Sequence, residues 1–311
     1  MEVHTSHLIV SPVPHVRASL TTRRVMGNVI IALMPSLLAS VLIFGLRALL
    51  VTAVTVAACV AMEGLWCILR HEKQTIGDLS AVVTGLLLAF NLPGTVPLYL
   101  PVIGAAAAIL VTKQLFGGIG HNFANPAIVG RIALAVSFPS LMTAYTYPTT
   151  ISGADVLSSA TPLATHSQSL PLLDLFLGTH GGVLGETCAL ALIIGFVWLL
   201  VTRTVELTIP LAYLGTVTVM SLLCGQSVPV QLLSGGLLLG AFFMATDYTT
   251  SPFTRKGKLI FGIGCGVITC AIRFWGNMNE GVSYSILLMN LTVPYINAKT
   301  RKVPMGGAKK K

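Results

Sequence analysis

Hydrophobic and polar positions along this chain do not alternate with a helix or strand period. They fall into long blocks, apolar runs approaching the roughly 20 residues a membrane-spanning helix needs, separated by short polar breaks. Reading between the breaks predicts ten helices, at about 25–44, 47–69, 79–92, 97–113, 124–138, 184–201, 206–224, 229–245, 258–275 and 281–297. The third and fifth are short for a full span. Each borders Gly/Pro/Asn-rich sequence, NLPGTVP after the third and GGIGHNFANP before the fifth. Broken helices persist in lipid only where the freed backbone faces protein or a polar cavity.

Composition agrees with that pattern. Charged residues make up 9% of the chain and hydrophobic ones 54%, whereas a soluble domain carries about a quarter charged residues. The expected class is an all-α polytopic membrane protein of about ten transmembrane helices. The first 24 residues are polar and end in Arg23 and Arg24, with no short apolar stretch leading to a small-residue cleavage site. The first helix therefore reads as an uncleaved signal-anchor. Cys59, Cys67, Cys188, Cys224, Cys265 and Cys270 lie scattered in apolar segments without CxxC spacing, as small hydrophobes in helix packing.

A net charge of +9 does not point to nucleic acid, because the basic residues sit at segment ends and in the tail. An N-terminus in the cytoplasm puts 16 of the 19 Lys and Arg on the inner side, leaving Arg47 and Arg273 outside and Arg131 within a segment. This positive-inside bias predicts two cytoplasmic termini in a bacterial or archaeal cytoplasmic (inner) membrane. The layout is a cytoplasmic segment 1–24, a helical repeat 25–138, an extracytoplasmic loop 139–183, a second repeat 184–297 and a basic tail 298–311. No Lys or Arg occurs between Arg131 and Arg203. The halves resemble each other weakly. GLLLAFNLP from Gly85 and GLLLGAFFMATD from Gly236 each open a block that runs through a Gly-rich helix to a basic residue, Lys113 or Arg273, near a Gly/Asn turn. The blocks start five segments apart, and an odd offset inverts one unit relative to the other, giving two inverted repeats of five helices.

Candidate chemistry collects at a few breaks. Lys113 to Ala127, KQLFGGIGHNFANPA, holds Gly117, Gly118, Asn122 and Asn125 before Pro126. It reads either as a half-helix start presenting free N–H groups or as a tight turn between closely packed helices. Arg131 lies deeper on the same segment, and Glu63, at comparable depth, is its candidate partner. Asp247 stands among hydroxyls at a helix end, where it either faces a cofactor or ion path or belongs to a capped start. His166 and His180 have no clustered partners and read as solvated loop histidines. In the 139–183 loop, Asp155, Ser158, Ala160 and Thr161 follow an order that secondary structure does not explain.

That order carries a resemblance. Asp155-x-x-Ser158-x-Ala160-Thr161 is similar to the D-x-x-[ST]-G-A-T signature at which FMN is esterified through its phosphate to a threonine, with Ser159 here in the place of glycine. Together with the Lys113–Ala127 run, the Ala245-Thr246-Asp247…Ser251-Pro252 run and the Ser11–His15 SPVPH start, it resembles the NqrB/RnfD family over nearly the whole chain. These are membrane flavoproteins of Rnf complexes and of Na⁺-translocating NADH:quinone reductases. The chain has no long N-terminal extension of the quinone-reductase kind, so the Rnf branch is the nearer. The resemblance implies a component of an ion-translocating ferredoxin:NAD⁺ oxidoreductase, with FMN held covalently on Thr161 by an extracytoplasmic flavin transferase. It also implies a non-covalent riboflavin, placed near the Gly117–Asn125 region and Asp247. The implied partners are the A, B, C, E and G subunits of the Rnf complex and a coupled Na⁺ or H⁺. A quinone-reductase component and a urea-channel-like transporter without redox function are the alternatives.

Overall fold

The computed structural model describes residues 21–145, 163, 172–276 and 281–301. The chain is helical, and the apolar runs of the sequence become its helices. α1 (Thr22–Phe44) starts where the Thr21 hydroxyl accepts from the Arg24 N–H, and it stops at Gly45. α2 (Leu46–Leu69) runs back, and α3 (Ser80–Phe90) is a short helix that ends inside the bundle. α4 (Tyr99–Ala106) passes into a π-helical stretch, Ala107–Gln114. α5 (Pro126–Ser137) and the single turn α6 (Pro139–Met142) complete the first half.

The second half begins with a short helix α7 (Leu172–Leu177), followed by α8 (Ala189–Val201), α9 (Thr208–Leu223) and α10 (Val228–Leu233). α11 (Leu237–Leu239) continues as the π-helical stretch Gly240–Met244. α12 (Arg255–Trp275) and α13 (Val282–Thr300) close the chain. Among the described residues, α1, α2 and α12 are long and apolar enough to cross a membrane on length and composition alone.

The packing turns the soluble pattern inside out. Leu42, Leu69, Leu223 and Trp275 lie on the exterior, more than two-thirds exposed. Glu63, Lys113, Arg131 and Asn290 are buried. Apolar side chains on the outside match a hydrocarbon solvent, so the polar groups are what must be covered and paired. Inside, α1 packs on α8, α5 on α13, α2 on α3 and α4, and α9 on α12. The core between them includes Leu33, Leu88, Phe90, Tyr213 and Phe261, with Phe196 stacked on Phe242 at a centroid distance of 4.1 Å.

Two expectations about the elements are corrected. The eighth predicted helix, 229–245, is not continuous. Gly235 (φ 68°) and Gly236 (φ 64°) are consecutive left-handed residues, a conformation glycine adopts without a Cβ clash, and they separate α10 from α11. His180 is not solvated. It is buried beside the Asp174 carbonyl (3.4 Å), and burial holds its imidazole below the usual range. The stretch around it enters the bundle, where the Leu184 and Gly185 N–H groups donate to the Leu92 and Phe90 carbonyls at 3.1 and 3.0 Å.

Candidate functional site

Three left-handed glycines in four residues, Gly117, Gly118 and Gly120, fold the chain back after α4 and deliver Asn125 to the start of α5. Asn125 does two jobs there. Its Oδ1 caps α5 by accepting from the Ala127 N–H (3.0 Å), and its Nδ2 donates to the Met244 carbonyl (3.2 Å) at the end of α11. With its amide turned so that both ends are satisfied, Asn290 of α13 joins the same knot, donating to the Thr250 carbonyl and accepting from the Asn125 N–H, each at 3.1 Å. The turn therefore fastens the first half of the chain to the second.

Beside this knot lies a partly open cleft. Val29, Leu87 and Phe243 give it apolar walls, while Ser80, Thr84, Lys113, Asn122, Asn125, Thr246 and Asp247 supply the polar positions. Asn122 Oδ1 is buried and accepts no hydrogen bond from the described residues. Asp247 is held by its own loop, with Oδ2 accepting from the Thr249 and Thr250 hydroxyls at 2.8 and 3.0 Å.

Two clusters of buried charge flank the short helices. At the start of α3, Lys113 Nζ donates to Glu63 Oε2 (2.7 Å) and Ser80 Oγ (2.5 Å). Near the start of α11, Arg131 Nη1 lies 3.5 Å from Glu186 Oε1 and donates to Ser283 Oγ at 2.7 Å. Arg273 reaches the same region, donating to the Gln231, Ser234 and Gly235 carbonyls at 2.7, 3.1 and 2.9 Å. The expected pairing of Arg131 with Glu63 is thus wrong. Equal depth along two helices does not make them neighbours, and α2 packs on α4 while α5 meets α13. Lys113, counted by sequence among the topology charges, is an interior residue, 2% exposed.

A family model described as NQR2, RnfD, RnfE family matches residues 9–306. The chain belongs to the NQR2, RnfD, RnfE family. It is 47% identical over 303 residues to the D subunit of the Na⁺-translocating ferredoxin:NAD⁺ oxidoreductase complex of Acetobacterium woodii, covering 95% of this chain and 94% of that one. It is 38% identical over 317 residues to the D subunit of the proton-translocating ferredoxin:NAD⁺ oxidoreductase complex of Clostridium ljungdahlii, covering 96% of each chain. A third similar protein is the D subunit of the ion-translocating oxidoreductase complex of Stutzerimonas stutzeri, 39% identical over 319 residues, with 89% of this chain and 90% of that one covered.

In this NQR2, RnfD, RnfE family member the residues singled out by sequence divide into three groups. Asn122, Asn125 and Asp247 come together on the cleft. Gly117 and Gly118 shape the turn but do not line it; a Cβ on Gly117 would stand 3.7 Å from the His121 ring. Asp155, Ser158, Ala160 and Thr161 lie outside the described residues, as does the Ser11–His15 run. Leu163 is described, and it is buried in a cluster with Leu175 and Val230. Sequence reading missed Ser80, Thr84 and Leu87 as cleft residues. Their only signal was membership of a helix too short to span, which locates polar backbone in the interior without saying which side chains face it. Among the described residues no group of His, Cys, Asp or Glu could hold a metal ion.

Proposed function

We propose that this chain is the flavin-carrying membrane component of an ion-translocating ferredoxin:NAD⁺ oxidoreductase. The observation that carries the reading is the match along nearly the full length to subunits named for that complex, in a chain whose polar residues are buried and whose exterior is apolar. The relatives at 47% and 38% identity are named for different cations, Na⁺ and the proton. The likeness therefore supports coupling to a monovalent cation, Na⁺ or H⁺, and gives no preference between them. In this reading both termini lie in the cytoplasm, the bundle consists of two inverted five-helix repeats, and Thr161 is on the far side. The mirrored element order supports the repeats: in each half a short helix starts after a left-handed residue, Leu79 at φ 66° or Gly236 at φ 64°.

Two flavins belong to the proposal. FMN is esterified to Thr161, whose hydroxyl is an anchor and not a catalyst; the flavin supplies the redox chemistry and the protein supplies position and electrostatics. The second, non-covalent flavin occupies the cleft. The residues fit an uncharged ring system: the walls are apolar, and Asn122, Asn125, Thr84 and Thr246 place neutral polar groups among them. They offer a phosphate no direct cradle, because two of the three Lys113 donors already go to Glu63 and Ser80. Riboflavin meets those conditions better than FMN or FAD does.

The test separates the two flavins. The full-length chain produced with a flavin transferase shows a fluorescent band on a denaturing gel, and Thr161→Val abolishes it. The Thr161→Val protein still releases riboflavin on denaturation, identified by chromatography. A dark band from the parent chain with transferase present would rule out the covalent flavin, and a flavin-free Thr161→Val protein would rule out the second.

A further inference from the structure

Lys113 is a buried cation with no assigned task. Its ammonium has three donors, of which Glu63 Oε2 takes one at 2.7 Å and Ser80 Oγ another at 2.5 Å. The outer layer of this network is satisfied too. Ser80 Oγ donates to Asp78 Oδ1, and Thr75 Oγ1 donates to Glu63 Oε1, each at 2.5 Å. Lys113 and Ser80 line the cleft and Glu63 does not. The ion pair is therefore oriented, with its positive end at the cleft wall and its negative end behind.

Stability does not explain such a pair. Burying an ammonium and a carboxylate costs about as much as their attraction returns, and apolar residues of similar volume would join α2 to α4 equally well. The location adds a second consideration. Ser80 is the first residue of α3, and its N–H and hydroxyl both donate to Asp78 Oδ1, at 2.8 and 2.5 Å. The Lys113 ammonium therefore stands at the cleft wall with the Glu63 and Asp78 carboxylates behind it, outside the lining.

We propose that Lys113 is the positioning residue that sets how readily the cleft accepts an electron, with Glu63 as the counter-charge that limits its effect. The inference rests on the reading of the cleft as a non-covalent flavin site. One electron, coming from ferredoxin through the complex, adds one negative charge to the cleft, and a fixed ammonium in a poorly screened wall lowers the free energy of that charged form. Lys113 thereby raises the reduction potential of the bound flavin without forming or breaking a covalent bond.

The experiment uses the full-length chain in detergent with Thr161→Val as the parent, so that the flavin in the cleft is the one observed. Reductive titration against a reference dye reads its potential. Lys113→Met is expected to disfavour one-electron reduction at least tenfold, which is 59 mV for one electron. Glu63→Gln, which leaves the ammonium without its counter-charge, shifts the potential the opposite way. The double variant Glu63→Gln/Lys113→Met buries no lone charge and guards against a single variant that does not fold; its potential also falls below that of the parent. A double variant that keeps its flavin and the parent's potential would overturn the role of Lys113 while leaving the cleft reading intact. A parent protein without extractable flavin would instead remove the cleft reading, and the inference with it.

Discussion

The two buried charge clusters stand at equivalent places, each beside the first residues of a short helix, yet they are built differently. At α3 the cation is Lys113, matched one-to-one by Glu63 at 2.7 Å. At α11 one carboxylate, Glu186, stands 3.5 Å from Arg131 and near Arg273, whose guanidinium is spent on the carbonyls of Gln231, Ser234 and Gly235. A guanidinium is a planar fork of five donors that holds several acceptors in fixed geometry, whereas an ammonium is a compact point charge. The difference teaches a division of labour. Arg273 is structural, closing the carbonyl end of α10 and the glycine break after it, and Lys113 presents charge to a cleft. Arg47 supports this distinction: it too donates to backbone carbonyls at a break, those of Gly94 and Thr95 at 3.0 and 3.3 Å. The two basic residues that the charge count leaves on the outer side are thus both backbone clasps.

Breaking the arginine cluster is expected to have the largest effect. Arg273→Met strands several buried carbonyls and should lower stability by about 3–5 kcal/mol, read as the unfolding midpoint in detergent. Arg273→Lys should recover only a minor part of that loss, because one ammonium cannot reach all those carbonyls; full recovery would erase the proposed division. The lysine pair should respond differently. Glu63→Gln alone leaves a buried cation and costs about 3 kcal/mol, while Glu63→Gln/Lys113→Met should return to within about 1 kcal/mol of the parent, a recovery that a clasp would not show.

Smaller changes sharpen the contrast. A Cβ on Gly236 would run into Glu186 Oε1, and the backbone there is left-handed. Gly236→Ala should therefore cost about 1–2 kcal/mol, measured by the same midpoint. The least effect is expected at the exposed pair of Glu206 and Lys258, 2.8 Å apart. The Lys258 hydrogen bond holds the Glu206 carboxyl below its usual range. A depressed carboxyl contributes stability above its unfolded pKa and loses it as pH falls through the folded one. Glu206→Gln should thus cost no more than about 0.5 kcal/mol at neutral pH and nothing in acid or high salt.

Much of the helical layout was legible in the sequence. Apolar runs predicted α1, α2 and α12 closely, because in lipid the length of an apolar block is itself the physical signal. The short α3 and α5 were also visible, since Pro, Gly and Asn at their edges cannot continue a helix. The break inside 229–245 was missed, although Ser234-Gly235-Gly236 marked it, because two glycines in an apolar run are also compatible with close helix packing. Of the candidate site, Asn122, Asn125 and Asp247 were named from their breaks, and their meeting on one cleft came from the fold.

The sequence by itself determined that this is a helical membrane protein, where most of its helices begin and stop, and to which family it belongs. Each of these is written in consecutive residues. Only the tertiary structure decided that Glu63 pairs with Lys113 and not with Arg131, and that Arg273 clasps a broken helix. Partnership between buried charges depends on which helices lie side by side and which faces they turn inward, and those relations join residues 50 positions apart in one case and about 40 in the other.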